Sequence, residues 1–180
     1  MVYLFYGNTY ISFMPFAVKK LILIIIATNT LILPVIVLPF FVQYGVIRSL
    51  SMDTHKERIL PLAFILIPYL FSVYFLYKIP VPNIIANTVL GGAIIITTAL
   101  LISIRWKISL HLLGAGGVVG FLISLSIKYH IDVHYLLAAC LFLSGVIAMA
   151  RLQLLGHSPS QIYTGFLLGF LIMFSIIIIL

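Results

Sequence analysis

Residues 83–104, with the sequence NIIANTVLGGAIIITTALLISI, contain no charged side chain. A helix needs roughly 17 to 25 mostly apolar residues to cross about 30 Å of bilayer hydrocarbon, and this stretch has that length. Arg105 and Lys107 follow at once, as is typical where a helix leaves the hydrocarbon. The stretch therefore predicts a transmembrane helix.

The whole chain has the same character. Of its 180 residues 64% are hydrophobic and 7% are charged, and the mean hydropathy is +1.31, whereas a soluble domain has about 25% charged residues. Backbone groups in lipid must pair within their own segment, so the apolar runs are helices. We expect an all-α polytopic membrane protein with one transmembrane domain and a bundle of about six helices, located in a bacterial inner membrane. The expected helices are 21–47, 60–77, 83–104, 108–127, 133–150 and 161–180.

The first run differs from the others. It contains Pro34 and Pro39, which lack an amide donor and clash with the preceding turn, so a bent helix is expected. Residues 1–16 lack the basic start, apolar core and cleavage site of a secretory signal, and with residues 17–20 they form the first segment of the chain. They are expected to form an interfacial segment or part of a helix, with tyrosines at the headgroup level.

The formal charge of +7 does not indicate a nucleic-acid partner, because the cations stand at helix ends and form no basic stripe. Membrane lipids are the expected partners of most of them. Six alternating crossings put one group of cations on one side, which the positive-inside rule assigns to the cytoplasm. That side holds Arg48, Lys56, Arg58, Arg105, Lys107 and Arg151, and the other holds Lys19, Lys20, Lys78 and Lys128.

Three polar clusters fall on the richer side and are expected to converge there. They are DTHKER at 53–58, KISLH at 107–111 and ARLQLLGHSPSQ at 150–161. In this order they resemble the three motifs of the type 2 phosphatidic acid phosphatase (PAP2) superfamily: Lys-x6-Arg-Pro, Pro-Ser-Gly-His and Ser-Arg-x5-His-x3-Asp.

The third motif matches best. Arg151 and His157 have the family spacing, with Ala150 in place of Ser and Gln161 in place of the acid.

The first two motifs match in part. In the second, Ser109 and His111 match, whereas Ile108 and Leu110 replace Pro and Gly. In the first, Arg58 matches, Pro61 falls two residues late, and Lys56 is two residues before the Arg rather than seven.

The resemblance implies a chemistry for each matched residue. His157 would attack phosphorus and form a phosphohistidine, and His111 would protonate the leaving oxygen. The phosphate would be bound by Lys56, Arg58, Ser109 and Arg151. Such cations suit a phosphate because guanidinium groups make two parallel hydrogen bonds to its oxygens. The substrate would be a lipid or polyprenyl phosphate, and the family needs neither metal nor cofactor.

Gln161 is the departure with the largest chemical consequence. A carboxylate there would orient the imidazole and stabilise its cation, whereas an amide oxygen only accepts a hydrogen bond. Glu57 is the only nearby acid that might take its place. The alternative interpretation is a catalytically impaired PAP2-like protein that binds or transports a lipid phosphate.

Other interpretations rest on other residues. A structural subunit, or a haem protein with His111 and His157 as axial ligands, is a further alternative. His130, Asp132 and His134 have a spacing that a zinc site could use, but a solvated loop is favoured. The single cysteine, Cys140, is expected to pack in an apolar run.

Glycines recur in the fourth and sixth predicted helices. They are Gly114, Gly116, Gly117 and Gly120 in the fourth, and Gly165 and Gly169 in the sixth. Small residues at such spacing let two helix backbones approach closely. We expect this packing to hold His111 near His157.

Overall fold

The computed structural model describes residues 14–50, 52, 54–154 and 156–180. These residues form helices joined by short loops, without a strand among them, and the all-α class is confirmed. Six helical segments of the described chain are long and apolar enough to cross a membrane. Most of the segment expected at the interface, residues 1–13, lies outside the described residues.

The α-helices are α1 (Phe16–Ala27), α2 (Leu33–Gln43), α3 (Ile59–Lys78), α4 (Asn83–Ser103), α5 (Leu110–Tyr129), α6 (His134–Gln153) and α7 (Pro159–Ile179). A π-helical turn over Thr28–Ile32 joins α1 and α2 into one membrane span, and a 3-10 helix over Lys56–Arg58 leads into α3. Ser158 caps α7, because its side chain accepts from the Gln161 backbone while the Gln161 side chain accepts from the Ser158 backbone.

The first span differs most from its predicted bounds, since it begins at Phe16 rather than at residue 21. Pro15 precedes the helix in an extended conformation, and Lys19 is buried with 7% of its surface exposed. The two lysines that interrupt the apolar run in the sequence therefore lie within the helix and do not end it.

The first span contains a π-helical turn in the region where the sequence predicts a bend. Pro34 lies two residues after this turn, and a proline ring clashes with the carbonyl four residues earlier, here that of Thr30. A π-helical turn widens the helix at that point, and such turns are a recognised cause of bends.

The closest packing in the bundle is between α5 and α7. A Cβ atom at Gly116 would overlap the Phe166 carbonyl oxygen, and one at Gly169 would overlap the Leu113 carbonyl oxygen. At Gly165 a Cβ would lie 2.8 Å from the Ser109 carbonyl oxygen. The two backbones are thus in direct contact, and the predicted glycine-mediated packing of these helices is confirmed.

Gly169→Ala should lower the apparent Tm of the purified protein, because the added methyl group can be accommodated only if α5 and α7 move apart. Overpacking of this kind costs about 1–3 kcal/mol. Gly145→Ala on α6 is the matched control, since a Cβ there meets nothing within 4 Å. Equal Tm values for the two variants would show that the α5–α7 contact does not limit stability.

Helix alternation brings the starts of α3, α5 and α7 and the ends of α4 and α6 to one face of the bundle. Two hydrogen bonds tie these ends together. His55 Nδ1 donates to the Ser103 carbonyl oxygen at 3.0 Å, and the Ser109 amide donates to the Gln161 carbonyl oxygen at 3.3 Å. The three polar clusters of the sequence therefore meet at this face.

Candidate functional site

A cavity of about 300 Å³ opens among the three clusters. Its polar lining consists of Arg58, His111, Arg151 and His157, and Leu50, Met52 and Leu110 complete it. Two guanidinium groups and two imidazoles from three distant stretches of chain therefore face one space. The sequence predicted that the three clusters converge. The structure brings together Arg58, His111, Arg151 and His157, with Gln161 bonded to His157.

Arg58 is fixed in place by the backbone. Its side chain is buried, with 5% of the residue exposed. Nη1 donates to the Ile108 carbonyl oxygen at 2.6 Å, and Nε donates to the Met52 carbonyl oxygen at 3.2 Å. Nη2 points to His157 Nε2 at 3.5 Å. Because the carbonyl bonds hold the guanidinium plane, its charge is presented to the cavity in one orientation.

His157 is oriented from the opposite side of its ring. Nδ1 lies 3.0 Å from Gln161 Oε1, and the Ser158 amide donates to the same oxygen at 3.1 Å. The amide donor identifies that atom of Gln161 as the acceptor, so Nδ1 of the neutral ring carries the hydrogen. Nε2, which faces Arg58 and the cavity, is then the nitrogen with a lone pair.

The surroundings keep the imidazole neutral. Burial is the largest cause that lowers the pKa of His157 below its ordinary value. The positive charges of Arg58, Lys107 and Arg151 lower that pKa further. The hydrogen bond to Gln161 raises it, but the net shift is downward. Near neutral pH, His157 is therefore an uncharged ring whose unprotonated nitrogen lies beside fixed cations.

Arg151 is hydrogen-bonded to the other histidine. Its Nη2 lies 2.7 Å from His111 Nε2. A guanidinium group has donors only, so Nε2 of His111 accepts this bond and is unprotonated in this arrangement. Any ligand that draws Arg151 away would release His111 Nε2.

The sequence motifs did not predict Lys107 as a phosphate-binding residue. In the structure its positive charge lowers the pKa of His157. Lys56, which the motif resemblance predicts to bind the phosphate, is exposed and does not line the cavity. The signal that could have found Lys107 is its position two residues before Ser109, at the start of the second motif.

Ser109 lies beneath the cavity and does not line it. The residue is fully buried, and its Oγ has no hydrogen-bond partner among the described residues. Glu57 does not replace the missing acid. Its carboxylate lies 3.9 Å from Arg48 Nε, and Nδ1 of His157 is hydrogen-bonded to Gln161 instead.

The histidines considered for zinc lie apart from this cavity, His130 after the end of α5 and His134 at the start of α6. His134 Nδ1 is 2.5 Å from Asp132 Oδ1, and both side chains are exposed. The described residues include no group of three or more histidine, cysteine or acidic side chains placed to hold a metal ion.

We compared the chain with known protein families, curated proteins and solved structures. The chain matches no protein family, no curated protein and no solved structure.

Proposed function

We propose that the protein is a membrane-embedded PAP2-type phosphatase that hydrolyses a lipid or polyprenyl phosphate through a phosphohistidine at His157. The observation that supports it most is the unprotonated Nε2 of His157, which faces a cavity with the guanidinium groups of Arg58 and Arg151. The reaction class, phosphate hydrolysis, comes from the resemblance of the three motifs to those of the PAP2 superfamily. A bacterial inner membrane is the proposed location.

The cations account for binding and charge stabilisation. A phosphate monoester carries about −1.5 to −2 charges at pH 7. Catalysis of phosphoryl transfer depends mostly on positioning and on stabilising the charge of the equatorial oxygens. Arg58 and Arg151 would bind these oxygens, and the positive charge of Lys107 would add to the field at His157.

The reaction has two steps. The Nε2 lone pair of His157 attacks phosphorus, the bond from phosphorus to the lipid oxygen breaks, and that oxygen takes a proton from His111. Water then attacks the phosphohistidine and gives a proton to His111, which releases inorganic phosphate and restores the neutral ring. Before the first step, Arg151 turns from His111 Nε2 to the phosphate, and that nitrogen takes up a proton from solvent, which it then gives to the lipid oxygen.

The direct test is phosphate release by purified protein from a panel of lipid and prenyl monophosphates. Release from at least one substrate is expected in the wild type. A wild type that binds these phosphates without releasing phosphate would instead support a binding or transport protein. Gln161 in place of a carboxylate is the observation that favours this second candidate.

Arg151→Lys should retain the positive charge but lose most activity, because an ammonium group cannot make two parallel hydrogen bonds to a phosphate. A loss of 10- to 100-fold in kcat/KM is expected, about the 1.5–3 kcal/mol of one charge-assisted hydrogen bond. Arg105→Lys, at an exposed position on the same face, is the control. Near-normal turnover in Arg151→Lys would remove Arg151 from the phosphate site.

The pH dependence follows from the lowered pKa of His157. Activity should persist as pH falls through the ordinary histidine pKa of about 6.5 and decline only at lower pH, where the ring is protonated. Lys107→Gln should move this acid limb of the pH–rate profile to higher pH, since a positive neighbour is lost. Lys56→Gln should leave the limb in place. Equal shifts in the two variants would contradict the placement of Lys107.

A further inference from the structure

A second cavity, of about 490 Å³, opens on the side of the bundle between α4, α5 and α6, where Val118 is exposed. Its lining is almost wholly aliphatic and aromatic and includes Ile95, Ile96, Phe121 and Cys140. Such a lining offers water few hydrogen-bond partners, so the cavity suits an apolar occupant. Leu136 and Cys140 of α6 border it, and only 6% of the most apolar stretch of this helix is buried.

The cavity follows one face of α5. Leu110, Gly114, Val118 and Leu122 line it at intervals of one helical turn. At 1.5 Å per residue, Leu110 and Leu122 are about 18 Å apart along the helix axis. That length is more than half of the roughly 30 Å of bilayer hydrocarbon.

Leu110 also lines the polar cavity that holds the two histidines. The apolar cavity therefore begins where the polar one ends, at the start of α5. A molecule with its phosphate between Arg151 and His157 and one hydrocarbon chain along α5 would occupy both.

We propose that the apolar cavity binds the chain of a single-chain lipid phosphate, such as a long alkyl or prenyl monophosphate. The proposal rests on the function proposed above for the polar site and narrows its substrate class. A stripe of residues along one face of one helix accommodates one extended chain, and a lipid with two chains would leave its second chain outside.

Gly114 allows a selective test. A Cβ built on Gly114 meets nothing within 4 Å, and the residue lines the apolar cavity. Gly114→Leu therefore places a side chain in the cavity without displacing backbone. Gly145→Leu is the matched control, because Gly145 is equally unobstructed but does not line the cavity.

The experiment uses a hexadecyl phosphate with a photoreactive terminal group, added to the protein in lipid nanodiscs. Mass spectrometry should find the label on buried cavity residues such as Phe121 and Leu122. Gly114→Leu should reduce this labelling by about tenfold or more, the factor that corresponds to losing burial of two methylene groups. Gly114→Ala should reduce it less, and Gly145→Leu should not change it.

Equal labelling in Gly114→Leu and Gly145→Leu, or labelling mainly on the exposed Phe142 and Leu143 of α6, would overturn the chain site. The labelling does not require turnover. Absence of phosphate release by the wild type would therefore reject the phosphatase but not the chain site.

Discussion

His157→Ala is expected to abolish phosphate release. The variant lacks the nitrogen that attacks phosphorus, and loss of a nucleophile in an established hydrolase costs about 10⁶-fold in kcat. Binding of the lipid phosphate should survive, because Arg58 is held by the carbonyl oxygens of Ile108 and Met52 and not by His157 alone. Turnover by wild type and variant, with binding measured separately, checks both expectations.

His134→Ala is the control for this prediction. His134 is exposed at the start of α6 and does not line the cavity, so its loss should leave turnover unchanged. A His157→Ala variant that still releases phosphate at a tenth of the wild-type rate would exclude His157 as the nucleophile.

Gln161→Glu is expected to raise kcat. The side chains of glutamine and glutamate have the same length, and the two groups that point at Gln161 Oε1 are both donors, His157 Nδ1 and the Ser158 amide. A carboxylate therefore accepts both bonds and adds a charge that stabilises the imidazolium. Neutralising the carboxylate of a catalytic triad lowers kcat by about 10⁴, which sets an upper bound on the gain.

Gln153→Glu is the control, since it makes the same substitution at an exposed position at the end of α6. The acid limb of the pH–rate profile should move to higher pH in Gln161→Glu only, because a carboxylate favours the protonated ring. Equal activity in Gln161→Glu and the wild type would indicate that stabilisation of the imidazolium does not limit turnover.

The fold could be predicted from sequence because each apolar run is close to the length of a membrane span. The meeting of Arg58, His111 and His157 was also predictable, since alternating crossings return all three clusters to one face. The glycines of α5 and α7 predicted their close packing, which the Gly169–Leu113 contact confirms.

Other features depend on distances that a linear sequence does not contain. Lys56 and Lys107 are both cations beside a motif, and only the folded chain brings Lys107 near His157. The start of the first helix was misplaced because Lys19 and Lys20 look like an interruption, although Lys19 is buried within α1.

The apolar cavity was not predictable either. Its residues belong to ordinary apolar runs, and nothing in their order shows that α6 packs loosely enough to leave space beside α4 and α5. Gly114 looks like its neighbours in the sequence, yet a Cβ there meets open space, whereas one at Gly116 would meet the backbone of α7.

The most direct measurement is a rapid-quench experiment with a lipid phosphate carrying radioactive phosphorus, followed by peptide mapping. Transient labelling of the His157 peptide, stable in alkali and lost in acid, is the expected result, with no label in His157→Ala. Phosphate release by the wild type without labelled His157 in the first turnover would contradict the proposed mechanism.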